Sequence, residues 1–393
     1  MQTDGTPSTA AVVSRGAVQG PILLAAVFGL LLLAFVAVQE AGLRQGVLAV
    51  IGFGAGVSLY HASFGFTSAW RRFLAEGRSV GIRAQILMLG ATMIVFYPML
   101  GSGSFLGQPL VGFINPFGLA LALGAFVFGI GMQLGGGCGS GTLYTAGSGS
   151  TRMLLTLAAF IAGSFLATAD PLGWSSWPAF EGISIVERWG VPMALLVSLA
   201  FLWGIYWFLM RAESGRHGDL QPLRDNQPQS FLSGPWNLLA GALALAVINI
   251  AILLVAGRPW GITAAFALWG AKLSMLFGVD VAAWSYWRGD PSLQNSLFDD
   301  VTSVTNFGLM LGALAAAALA GKYAPQHRLP WRSLMAAILG GLIMGFGARL
   351  ATGCNIGAFF SGTASGSLHG LVWLMFAIPG NMIGARLRPS FGL

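Results

Sequence analysis

Charge is what this sequence has least of. Asp, Glu, Lys and Arg make up 8% of 393 residues, hydrophobic residues make up 55%, and mean hydropathy is +0.75. One soluble core could not hide that much apolar surface, so a soluble globule is excluded. Cysteine is scarce too, with two in the chain and only four histidines. There is no CxxC, no Cys/His pair at ligand spacing and no His-rich tract, which leaves zinc and iron–sulfur centres without ligands. No metal and no cofactor is expected. The formal charge of +7 comes from basic residues in short loops that form no tract, so nucleic acid is not an expected partner. The opening residues, MQTDGTPSTAAVVSRG, are polar, and no small-residue cleavage site follows the first apolar run. That run is expected to be a span rather than a cleaved signal.

What the chain has instead is long apolar runs. GPILLAAVFGLLLLAFVAV from Gly20, the stretch between Ala194 and Met210, and LLAGALALAVINIAILLVAG from Leu238 each approach the roughly 20 residues that cross a bilayer. The fold class expected is all-α, a polytopic integral membrane protein whose first partner is the lipid bilayer.

The chain also repeats itself. A shift of 216 lays Cys138 on Cys354 and aligns GAFVFGIGMQLGGGCGSGTLY from Gly124 with GGLIMGFGARLATGCNIGAFF from Gly340. Gly124, Gly129, Gly131, Leu134, Gly137, Cys138 and Gly141 all fall on identical residues. The same shift pairs GFGAGVSLYHASFGFTSAWRR from Gly52 with LWGAKLSMLFGVDVAAWSYWR from Leu268, and LMLGA recurs at Leu87 and Leu309 with a shift of 222. Lys and Arg gather on the cytoplasmic side of membrane proteins. The loop with Arg71, Arg72, Arg78 and Arg83 therefore reads as cytoplasmic, and its counterpart RGDPSLQNSLFDD, ending acidic, as external. The copies are expected to be inverted. With Arg44 and Arg71 both read as cytoplasmic, the segment between them reads as a re-entrant pair. The expected plan is about nine transmembrane helices and four re-entrant segments, N-terminus outside and C-terminus cytoplasmic. It divides into an N-terminal tail (1–19), a first repeat with a linking span (20–210), a cytoplasmic linker (211–235) and a second, inverted repeat (236–393). Inverted repeats with broken helices hold substrate at the repeat interface near mid-membrane.

Each cysteine sits at a glycine-rich break in an apolar segment. Irregular backbone at membrane depth is costly unless buried in protein or lining a wet cavity. Gly137, Gly139 and Gly353 let backbone amides approach a ligand, and a helix beginning after Cys138 or Cys354, at Gly139 or Asn355, would offer the positive end of its dipole. That chemistry favours a small anion. GGCGSGT lacks the Lys of a phosphate-binding P-loop. A lone buried Cys is usually packing, but here the same residue stands at equivalent places in both copies. A neutral thiol is a soft, weak donor suited to a polarisable sulfur anion. A disulfide between the two stays open, though each would have to leave its own motif.

Ionisable and polar groups at membrane depth are expensive and mark pathways or partners. Lys272 and Asp280, eight residues apart, read either as a local salt bridge or, for Lys272, as an attractant for the anion. Arg349 and Gln133 occupy equivalent positions five residues before each cysteine, and Arg349 reads as an anion contact or as snorkelling to an interface. His61 reads as a packing residue or a proton handler. His369, at the start of the last span, reads as interfacial.

The paired cysteine motifs resemble the YeeE/YedE family of sulfur transporters, whose studied members take up thiosulfate. The resemblance implies an hourglass-shaped bundle whose re-entrant loops meet at the centre, where cysteine thiols hand the anion along by hydrogen bonds. It assigns Cys138 and Cys354 as relay cysteines. The family's opening motif, F-C-F-x-x-A-x-R, has a third cysteine where this chain, aligned at 216, has Gly65 and Val281. The expected function is an inner-membrane permease for a small sulfur-containing anion, thiosulfate foremost, with no enzyme activity. Substrate-binding residues are expected at Cys138, Cys354, Gly137, Gly139, Gly353, Asn355, His61, Lys272 and Arg349. A cytoplasmic sulfur carrier or sulfurtransferase is a further expected partner. Two alternatives stay open: another sulfur or selenium species as cargo, and a membrane sulfurtransferase using a Cys persulfide.

Overall fold

The computed structural model describes residues 17–224, 230–326 and 328–393. Most of the expected N-terminal tail, and residues 225–229 of the expected linker, lie outside the described residues. The chain forms α1 (Gly20–Ala41), α2 (Leu43–His61), α3 (Phe66–Glu76), α4 (Val80–Ser102), α5 (Leu119–Gly135), α6 (Gly139–Gly147), α7 (Thr151–Thr168) and α8 (Ile185–His217). There follow α9 (Leu238–Ala256), α10 (Thr263–Leu276), α11 (Val301–Leu319), α12 (Trp331–Leu350), a π-helical segment (Asn355–Ser361) running into α13 (Gly362–Ala364), and α14 (Leu368–Leu387). Among the described residues ten helical stretches are long and apolar enough to cross a membrane. Three of them join two helices across a break, at residues 62–65, 136–138 and 351–354, and a fourth, Ile185–His217, kinks at Gly190. The protein is a multi-pass membrane protein.

The ends of these helices lie on two faces. On one, the basic face, Arg78 pairs with Asp219, Arg152 donates to Ser333 Oγ and the Gly135 carbonyl, and Arg388 donates to the Gln133 carbonyl at 2.7 Å. On the other, Lys272 caps loop carbonyls, Arg258 lies 3.6 Å from Asp300, and a short strand pair joins 117–118 to 179–180. This assignment corrects two expectations. Arg44 is not on the basic face: its guanidinium donates to the Ala256 carbonyl, and its neighbour Gln45 donates to the Asp299 carbonyl. Its charge caps the end of α9, so α2 runs from one face to the other as a full span. Secondly, Gln19, just before α1, bonds to Tyr323, which packs on Gly149 beside Arg152. The start of α1 thus lies on the same face as Arg388 at the end of α14, whereas opposite faces were expected for these two helix ends; residues 1–16 lie outside the described residues.

The element pairing recurs. Helix α2 packs on α11 as α9 packs on α4, α5 packs on α14 as α12 packs on α7, and α3 meets α4 and α5 as α10 meets α11 and α12. Helices α5 and α12 cross antiparallel through four glycines, and the contact is reciprocal. A methyl group on Gly124 would lie 2.7 Å from the Gly347 oxygen, and one on Gly347 the same distance from the Gly124 oxygen. Gly131 and Gly340 repeat this at 2.9 Å. Small residues let helix backbones approach this closely in lipid, where van der Waals packing rather than the hydrophobic effect drives association. The recurring contacts match α2 to α9 and α3 to α10. They correct the 216 shift over the opening motif, which had laid α2 on the loop and helix at 259–277. Helices α1 and α8 have no counterparts, and they are the two least buried spans, with 17% and 22% of their apolar windows inside the protein. Helix α8 continues to His217, seven residues past the expected boundary at 210.

Candidate functional site

Both cysteines occupy the same backbone conformation. Cys138 (φ −81°, ψ −167°) caps α6, and Cys354 (φ −105°, ψ −167°) caps the π-helical segment. Each carbonyl starts its half-helix, accepting from Thr142 N at 2.8 Å and from Ala358 N at 2.9 Å. Two residues before each cysteine the chain enters the left-handed region, at Gly136 (φ 90°) and Thr352 (φ 58°). A β-branched residue there costs on the order of 1–3 kcal/mol, and such outliers cluster where function holds the backbone.

The two breaks meet. Both cysteines are free and buried. The Cys354 sulfur lies 2.9 Å from where a methyl group on Gly139 would stand. The backbone amides of Ile356 and Gly357, from its own half, and of Gly139, from the other, lie beside it. The start of α6 thus faces the start of the π-helical segment, with a sulfur atom between them. Cys138 Sγ lies 3.4 Å from Ser140 Oγ, and Ser140 is a site residue the sequence reading missed. Asn355 is 1% exposed and its side-chain oxygen has no partner among the described residues. A methyl group on Gly137 would lie 3.0 Å from Thr142 N, and one on Gly353 2.8 Å from Ala358 N, in the first turns of their own half-helices. Any side chain at either would push the break away from the helix start.

The same pattern extends outward. Gly139 touches Ile262 and Thr263, the start of α10, and Thr263 Oγ1 accepts from Arg349 Nη2 at 3.1 Å. Arg349 Nη1 donates to Tyr286 OH at 2.9 Å, while its buried Nε has no partner and it forms no ion pair among the described residues. In the other half Gln133 Nε2 donates to the Thr67 carbonyl, at the start of α3, and to Asn381 Oδ1 at 2.8 Å. The non-helical stretch before α10 is buried, and side chains bond its backbone. Asn249 accepts from Trp260 N, Ser361 donates to the Trp260 carbonyl and Asn306 donates to that of Ile262.

The remaining expected residues lie elsewhere. His61 ends α2 on the basic face, with Trp236 N donating to its carbonyl and the Trp236 ring 5.6 Å away. Lys272 is on the opposite face, its Nζ donating to the carbonyls of Leu293 at 3.0 Å and Asn295 at 2.6 Å. It makes no salt bridge with Asp280, because α10 ends at Leu276 and the chain turns away before Asp280. His369 bonds Ser367 and Asn115. Gly65 caps α3, whereas Val281 is sealed in a separate cluster with Leu268, Trp287 and Leu293. The residue that caps α10, and so matches Gly65, is Ile262.

Comparison with known proteins agrees with this architecture. The chain is 25% identical over 360 residues to a thiosulfate transporter, TsuA, of Spirochaeta thermophila, covering 84% of this chain and 95% of that one. It is 24% identical over 277 residues to TsuA of Escherichia coli, covering 67% of this chain and 72% of that protein. A probable transporter, YedE of Escherichia coli, is 34% identical over 161 residues, so the chain matches about two-fifths of each. The family model described as sulphur transport matches residues 61–383, which take in both half-helix pairs and both cysteine breaks, and by that match the chain belongs to the sulphur-transport family.

Proposed function

We propose that the protein carries a small sulfur-containing anion, thiosulfate foremost, across a bacterial inner membrane, through the cysteine breaks at the centre of the fold. The observation that carries this reading is the convergence at Cys354: the starts of two half-helices from opposite halves, with backbone amides from both beside one sulfur. Helix N-termini offer unsatisfied N–H groups and the positive end of a dipole, and two aimed at one spot suit an anion. The thiols add soft donors. Non-helical backbone at this depth is tolerated where it lines a cavity or path.

In this account α2–α7 and α9–α14 are inverted repeats about an axis in the membrane plane, supported by the antiparallel, reciprocal glycine contact of α5 and α12. Helices α3, α6, α10 and the π-helical segment are re-entrant half-helices. The basic face is cytoplasmic, and the start of α1 and the end of α14 lie on it. Arg349, facing outward with an unused N–H and no acidic partner, captures the anion. An unpaired cation at such a depth is expensive and is kept for a charge that comes and goes. Cargo then passes from Arg349 and Thr263 to the Gly139 amide and the two thiols, with no covalent bond made. A persulfide mechanism is disfavoured because both thiols are buried and no histidine contacts them among the described residues. The test is uptake of radiolabelled thiosulfate by cells producing Arg349→Gln, at matched membrane abundance. This reading expects a raised KM; unchanged kinetics would remove Arg349 from the path.

A further inference from the structure

On the basic face, the cap of α3 opens into a cavity of about 160 Å³ lined by Ser63, Gly65, Ser68, Arg72, Arg78 and Gln85, with Phe64 and Leu238 among its apolar walls. Its volume is on the order of ten water positions. Among the described residues, the charged ones in its wall are Arg72 and Arg78. Arg78 is committed to Asp219 at 2.7 Å and Glu213 at 3.4 Å. Arg72 uses Nε on Glu76 at 3.2 Å, and its two terminal nitrogens have no protein partner among the described residues. Gln85 is 3% exposed and its side-chain oxygen has no partner, and no hydrogen bond takes up its amide N–H group among the described residues. A buried amide without partners is rare in a folded protein and points to a guest. It can turn its N–H group to an anion and its oxygen to that anion's water. Ser63 is held at φ 45°, a non-glycine residue in the left-handed region on the cavity wall. The cavity is close to the cysteine site. Phe64 packs on Phe66, and Phe66 on Phe359, which lies in the segment begun by Cys354.

We propose that this cavity is a second anion site, in series with the cysteine pair, that holds a small dianionic oxyanion on the basic face through Arg72 and Gln85. The proposal rests on the transport reading above. The Phe66 and Phe359 rings separate the two sites, so cargo is held at one or the other with an apolar step between them.

The experiment is equilibrium binding of radiolabelled thiosulfate to the purified full-length protein in detergent. The unsubstituted protein is expected to hold two anions, and Cys138→Ala/Cys354→Ala one. Arg72→Gln/Gln85→Leu is also expected to hold one, and the fourfold variant none. Arg72→Gln alone, at a half-exposed position that leaves the core intact, is expected to weaken the site remaining in the cysteine variant about tenfold. If the cysteine variant binds nothing while the unsubstituted protein binds one anion, the cavity site is overturned and the transport reading stands. If Arg72→Gln/Gln85→Leu keeps two sites, the cavity is likewise excluded. No binding by the unsubstituted protein overturns both.

Discussion

Arg349 and Gln133 stand at the same place in the two halves, five residues before each cysteine, and each grips the first turn of a half-helix. Arg349 holds Thr263 at the start of α10, and Gln133 holds Thr67 at the start of α3. The geometry is shared and the chemistry is not. Gln133 is neutral and fully buried; its side-chain nitrogen donates to Asn381 and Thr67 and its backbone carbonyl accepts from Arg388, while its side-chain oxygen has no partner among the described residues. Among the described residues no acid pairs with the Arg349 charge and nothing accepts its buried Nε–H. Equivalent positions of a near-symmetric frame thus carry a charged arginine in one half and a neutral glutamine in the other. On the transport reading proposed above, this difference puts a capturing charge at the outer position and none at its inner equivalent, without any change of fold.

Equalising the two ends should have the largest effect. Arg349→Gln removes a charge-assisted contact, and uptake KM should rise roughly ten- to hundredfold with little change in kcat. Adding Gln133→Arg to that variant moves the charge to the basic-face end. Inverted vesicles should then take up thiosulfate at lower KM than right-side-out ones, and equal values would show that the charge does not set direction. The shared frame itself is tested by Gly347→Ala. Its new methyl would meet the Gly124 oxygen and Phe128 N at 2.7 Å, both backbone atoms that cannot turn aside. A loss of about 1–3 kcal/mol is expected, read as a lower midpoint of thermal unfolding in detergent. Gly204→Ala, where a methyl group has open space, should leave the midpoint in place. The smallest effect concerns the missing third thiol. Gly65→Cys puts a soft donor at the cap of α3, where only the mobile Ser68 hydroxyl must turn away, and should raise thiosulfate uptake roughly two- to fivefold. Val281→Cys should change nothing, because Val281 is fully buried away from the path. A gain from Val281→Cys alone would restore the 216 alignment over the opening motif.

That last contrast marks where the sequence stopped being informative. The cysteine breaks were legible because two features coincided there, glycine runs that no helix tolerates and an identical residue in both copies. The apolar spans were legible from length. The opening motif was misaligned because glycine-rich apolar helices look alike at several registers: Gly54 fell on Gly270 while the structural partners are α2 and α9. Arg44 was misread because a loop charge reports topology only when it faces water, and this one is spent on the Ala256 carbonyl. Lys272 and Asp280 were paired by counting turns of a helix that ends at Leu276. Ser140 and Thr263 carried no signal at all. Their roles arise from the meeting of two halves, and no spacing within one half records it.

The central claim is that cargo passes between the two cysteine breaks where Cys354 faces Gly139. Its most direct measurement is radiolabelled thiosulfate uptake by Cys138→Ala/Cys354→Ala, with membrane abundance and thermal unfolding matched to the unsubstituted protein. The account predicts uptake at the level of cells without the protein, with partial return in Cys138→Ser/Cys354→Ser. Uptake by the alanine variant at the unsubstituted rate would contradict it.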